Sequence, residues 1–168
     1  ILVDKVEECG LAVQHLLDLG HKKVAMLFDK LDNSIRRSRL TGYKQVLGKV
    51  KIPYREEYVY IWGRDAVADV TESADKGYYL TKALLERTPE VTAFVCMNDA
   101  MALGAFKAVR EAGKKVPDDY SIVGFDDLVF ADSVDPALTT VGLEQYLWGK
   151  KLAQYYFSLL EHPEVKES

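Results

Sequence analysis

The sequence contains no stretch of about 18 apolar residues that could span a bilayer, and no run of lysine or arginine that would mark a nucleic-acid surface. Its opening residues, ILVDKVEE, lack the basic-then-apolar pattern of a signal peptide. Cysteine is scarce. Cys9 and Cys96 are the only two, and they stand far apart, one near the start and one inside an apolar run that reads as a buried strand. That favours free thiols in a reducing compartment, the cytoplasm. No glycine-rich phosphate loop, Gly-x-Ser-x-Gly elbow or His-Glu-x-x-His helix is present, and no internal repeat or low-complexity tract interrupts the chain. Enzyme chemistry is therefore not expected, and neither a cofactor nor a metal site is predicted. At 168 residues, with 22 basic and 26 acidic side chains and a net charge of −4, the chain is long enough for one domain with a substantial core.

What the sequence does contain is concentrated between Thr92 and Asp127. Ala93 to Met97 and Ile122 to Phe125 are almost wholly apolar, as parallel strands covered on both faces must be. The run between them, from Asn98 to Gly113, is patterned as a helix rich in small residues, so the stretch reads as a strand-helix-strand crossover. Both strands then end at one edge, and beyond that edge an open parallel sheet holds its ligands. Asn98 and Asp126 belong there. The adjacent pair Asp126-Asp127 suggests a cation site, but neighbours on an extended chain point to opposite faces and chelate one ion only if the chain turns between them. The small residues allow close packing against the sheet or against a second copy of the same helix.

The rest of the chain fits the same scheme. Asp4-x-x-Glu7 forms a capping box ahead of a helix over 6–19, closed by Gly20, and His21 follows as a residue that finishes the helix end. Val24 to Phe28 reads as a strand, Ser34 to about Lys49 as a helix, and Tyr58 to Trp62 as a strand. A helix over 72–87 is capped by Thr71 or Ser73, Leu138 to Gly142 returns as a short strand, and Leu143 to Leu160 is a last helix. The cations Arg36 and Arg37 near a helix start call for pairing with nearby aspartates. Trp62 at the carboxyl edge suits stacking on a sugar ring and suits core packing equally.

Several runs, in order, carry a resemblance. Leu19-Gly20-His21-Lys22-Lys23, Arg39-Leu40-x-Gly42-Tyr43, Asn98-Asp99-x-Met101-Ala102-x-Gly104, Val116-Pro117-x-Asp119-x-Ser121-Ile122-Val123-Gly124-Phe125-Asp126-Asp127 and Leu138-Thr139-Thr140-Val141 are similar to the LacI/GalR family of transcription regulators over roughly residues 4 to 160. The resemblance implies an α/β fold: a doubly wound, flavodoxin-like parallel sheet in three α/β/α layers, as in a periplasmic-binding-protein-like sensor. Residues 1–142 would be its C-terminal lobe, and 143–168 a helix and tail belonging to part of the N-terminal lobe. It also implies a small-molecule effector such as a sugar, pairing into a homodimer, and DNA binding only through a head not contained in this chain. Arg39 would reach into the cleft and grip ligand oxygens, Asn98 would donate and accept, and Asp126 would accept from sugar hydroxyls. The alternative is the sugar receptor of an ABC transporter, which uses the same two-lobed frame.

Overall fold

Alternation along the strands divides the core. In the computed structural model, which describes residues 3–142 and 145–161, all five residues of β1 (Val24–Phe28) are buried. Successive side chains point to opposite faces, so Val24, Met26 and Phe28 enter one apolar cluster and Ala25 and Leu27 the other. The remaining strands are β2 (Val59–Ile61), β3 (Ala93–Cys96), β4 (Ser121–Phe125) and β5 (Thr139–Val141). They form one sheet in the order β2-β1-β3-β4-β5, every pair parallel, with Leu27 beside Cys96, Val95 beside Val123 and Phe125 beside Val141. This is the doubly wound order expected from the sequence.

Helices α1 (Lys5–Asp18) and α2 (Ser34–Lys49) cover one face, packing Val13, Leu16, Tyr43 and Leu47 against Met26, Val95 and Phe125. Helices α3 (Ser73–Arg87) and α4 (Asp99–Glu111) cover the other, with Leu80, Leu84, Met101 and Val109 against Leu27, Phe94 and Ile122. The helix ends follow local chemistry. The Asp4 carboxylate accepts from the Val6 and Glu7 amides at 2.8 and 3.2 Å. At the other end of α1, Gly20 takes φ +95° while the Gly20 and His21 amides bond to the Leu17 and Leu16 carbonyls. The His21 ring then joins the starts of two strands, with Nδ1 2.8 Å from Thr92 Oγ1 and Nε2 2.9 Å from Ser121 Oγ. Burial lowers its pKa, so it braces the amino edge as a neutral ring.

Three expectations need adjustment. Neither Thr71 nor Ser73 caps α3: Glu72 holds the cap position without a side-chain bond, because the Ser73 hydroxyl instead donates to Asn98 Oδ1 at 2.9 Å. Tyr58 ends a 3-10 turn (Glu56–Tyr58) rather than starting β2, and Trp62 keeps only an isolated bridge to Ala66. The small residues of α4 serve the chain's own packing. A Cβ on Gly104 would lie 1.7 Å from the Ala74 carbonyl oxygen, one on Gly77 2.0 Å from that of Met101, and Ala105 is wholly buried. Close approach of α3 to α4 therefore accounts for them without a second copy.

The last helix, α5 (Gln145–Glu161), differs from the others in leaving its apolar side chains open: Leu147, Leu152, Tyr156, Phe157 and Leu160 are 45–61% exposed. Residues 143 and 144, expected to begin this helix, lie outside the described residues.

Gly104→Ala is expected to cost about 1–3 kcal/mol through overpacking against the α3 backbone, seen as a lower urea midpoint with an unchanged slope.

Candidate ligand site at the carboxyl edge

Parallel strands end together, and so do the starts of the helices that follow them. The carboxyl edge thus collects Asp29 after β1, Trp62 after β2, Met97 and Asn98 after β3, and Asp126 and Asp127 after β4. Glu8 and Arg39, from the first half of α1 and α2, reach the same place. One Arg39 nitrogen donates to the Met97 carbonyl, another lies 3.1 Å from Glu8 Oε2, and the guanidinium carbon sits 3.9 Å from the Phe125 ring centroid. Met97 precedes Asn98 and Phe125 precedes Asp126, so Arg39 touches the roots of both. The three polar residues picked from the sequence converge on one edge.

Arg39 does not extend into open space as expected. It is 4% exposed and held by Glu8, itself 7% exposed, whose other oxygen lies 3.0 Å from Lys5 Nζ. Its Nε is buried without an acceptor among the described residues. Arg36 follows the pairing expected of it, bonding Asp32 at 2.7 Å and Asp29 at 3.5 Å, while Lys76 meets Asp29 at 3.2 Å. Arg37 donates instead to the Leu31 carbonyl at 3.3 Å.

Asn98 caps α4. Its side-chain oxygen accepts from the Met101 amide at 2.8 Å and from Ser73 at 2.9 Å, which fills both lone pairs. Its NH2 takes no part in these bonds, whereas the expected acceptor role meets an oxygen that is already engaged.

Asp126 and Asp127 take φ +103° and +50°, the turn that ends β4. Asp99 holds this turn. Its wholly buried carboxylate accepts from Thr140 Oγ1 at 2.6 Å and from the Leu128 amide at 2.9 Å, and it lies across Gly124, whose missing Cβ would sit 2.2 Å from Asp99 Oδ1. Burial raises the Asp99 pKa, opposed by the Thr140 bond. Desolvation likewise raises that of Asp126, opposed by Arg39. The only sequence signal for Asp99 was its place after Asn98 at a strand end. Among the described residues no three of His, Cys, Asp and Glu are grouped as a metal site.

Trp62 stands two strands from Asn98, roughly 10 Å at the usual strand spacing. Its ring packs at 6.4 Å from that of Tyr79 on α3. Both thiols are buried, and desolvation pushes Cys9 up to about 12 and Cys96 upward too, so both remain protonated and unreactive at neutral pH. No described helix is long and apolar enough to cross a membrane.

An open parallel sheet with a polar cluster beyond its carboxyl ends is the frame of a small-molecule-binding protein. Residues 13–168 match the model of the periplasmic binding protein-like domain, and the chain belongs to that family. It is 30% identical over 167 residues to the transcriptional repressor PurR of Mannheimia succiniciproducens, covering 99% of this chain and 48% of the relative. The chain thus spans about half the length of the curated relatives it matches, and they are repressors, not enzymes. Among solved structures, a LacI-family regulator from Enterococcus faecium with bound ribose superposes with a TM-score of 0.83 at 28% identity, covering 98% of this chain and 58% of that one. A CelR regulator in complex with cellobiose gives 0.82 at 29% identity, covering 98% and 48%. The resemblance read from the sequence is borne out: this periplasmic binding protein-like chain aligns over nearly its whole length with part of LacI-family regulators.

Arg39→Met should lower stability by about 3 kcal/mol, because it leaves the buried Glu8 carboxylate with Lys5 as its one remaining counter-charge, whereas adding Glu8→Leu should recover most of the loss. Denaturant unfolding of the single and double variants measures the difference.

Proposed function

We propose that the chain senses a sugar or sugar derivative for a DNA-binding repressor, with Asp126 and Asn98 as the groups that meet the ligand. The observation that carries this is their convergence over Arg39 at one sheet edge. The ionised Asp126 carboxylate accepts from neighbouring hydroxyls, the Asn98 NH2 donates, and Arg39 supports both from behind. Trp62 flanks the site, where its ring can cover the apolar face of a larger sugar. Two relatives solved with ribose and cellobiose support the ligand class.

Residues 1–142 form the C-terminal lobe in this reading, and 143–168 belong to the opposing lobe. The uncovered apolar face of α5 supports that division, since an isolated helix with so many open apolar side chains needs a partner surface. A ligand between the lobes favours one closure angle, and in a cytoplasmic homodimer that angle sets the spacing of two DNA-binding heads, for which the relatives' additional length leaves room. A transporter receptor is disfavoured because the matching relatives are repressors. The pairing surface lies on the outer side of α3 and α4, where Tyr79 is 38% exposed and Leu103 and Phe106 are half-buried.

Calorimetry with ribose and cellobiose tests the ligand reading. Asp126→Asn keeps a residue tolerant of positive φ and should weaken the better-binding sugar at least tenfold; unchanged affinity would refute the assignment. Because the carboxylate is the form that accepts from hydroxyls and burial raises the Asp126 pKa, affinity should fall on acidification, with a midpoint above the ordinary 3.8. Sedimentation equilibrium at micromolar concentration should show a dimer that Tyr79→Glu dissociates.

A further inference from the structure

At the carboxyl edge Lys5, Arg36, Arg39 and Lys76 each lie within 3.5 Å of a carboxylate of the chain itself. Glu8 serves two of them. It joins Lys5 at 3.0 Å through one oxygen and Arg39 at 3.1 Å through the other, while remaining 7% exposed. Without it, a guanidinium and an ammonium would stand together near the starts of α1, α2 and α4, whose amides and dipoles favour anions.

We propose that Glu8 is a specificity residue that masks Arg39, so that this edge accepts neutral polyhydroxyl ligands and rejects phosphorylated or carboxylated forms of the same sugars. The proposal rests on the sugar-sensing reading above for the identity of the neutral ligand, but not for the exclusion of anions. The mask takes up both terminal nitrogens: Arg39 gives one to Glu8 and one to the Met97 carbonyl, its Nε is buried, and the Phe125 ring lies against its guanidinium. An incoming anion therefore finds no free guanidinium fork, and it meets the Asp126 carboxylate, whose charge Arg39 already attracts. A hydroxyl meets no such barrier, because it can donate to Asp126.

The test titrates the chain with inorganic phosphate, ribose 5-phosphate and ribose, comparing the wild type with Glu8→Gln and Glu8→Asp by calorimetry and by NMR of the Arg39 side chain. Wild type and Glu8→Asp, which keeps the charge, should bind phosphate and ribose 5-phosphate at least tenfold more weakly than Glu8→Gln, which keeps the shape. The Arg39 Hε resonance should move with phosphate only in Glu8→Gln. Equal phosphate affinity in wild type and Glu8→Gln overturns the proposal. If Glu8→Gln does not fold, the wild-type titration decides alone: a phosphate-dependent shift at Arg39 overturns it, and an unmoved resonance upholds it. Failure of ribose to bind any form would count against the sugar reading while leaving the phosphate comparison intact.

Discussion

The constraint from which this molecule follows is that five strands running in one direction must be covered on both faces. Parallel pairing without hairpins requires a helix or long connection between strands, and each such helix begins where the preceding strand ends. Strand ends, helix starts and their unsatisfied amides consequently gather on one side of the sheet. The residues there cap helices and line the proposed ligand site, and Asn98 shows how the first task limits the second.

The same crowding explains the electrostatics. Cations at helix starts oppose the local dipole, and here Lys5, Arg36, Arg39 and Lys76 are each answered by an aspartate or glutamate a few ångströms away. Asp99 represents the opposite case, a carboxylate buried among donors from a strand and a turn. Its desolvation is offset by the bonds that hold Asp126 and Asp127 in left-handed backbone. The apparent simplicity of a two-residue motif at the end of β4 therefore depends on a side chain from α4 and another from β5.

Periodicity was enough to place the sheet. β1 and α2 occur where unbroken apolar residues and the stripe through Tyr43 and Leu47 put them, and the shared edge of Asn98 and Asp126 follows from strand direction, while Arg39 joins them only through the resemblance. Two kinds of feature were hidden. Contacts between residues distant in sequence, such as Glu8 with Arg39 or Ser73 with Asn98, leave no local pattern, so Arg39 was read as open to the cleft when a carboxylate from α1 already holds it. Small residues are ambiguous for a related reason. Gly104 and Ala105 announce close approach but not to what, and the partner is α3 of the same chain.

The reversed backbone at Asp126 and Asp127 bears on how such a binding site can diversify. Two consecutive residues with positive φ tolerate aspartate, asparagine and glycine well and β-branched or bulky side chains poorly. Mutational libraries aimed at new ligands are thus poorly invested in that turn, whose alphabet is short. Variation at Trp62 and along the exposed stretch from Gly63 to Glu72, where Val67 is 81% exposed, meets no comparable backbone restriction except at Gly63. For the proposed ligand site, the turn after β4 is a fixed anchor and the margin beside β2 is the ground on which new specificities can be selected.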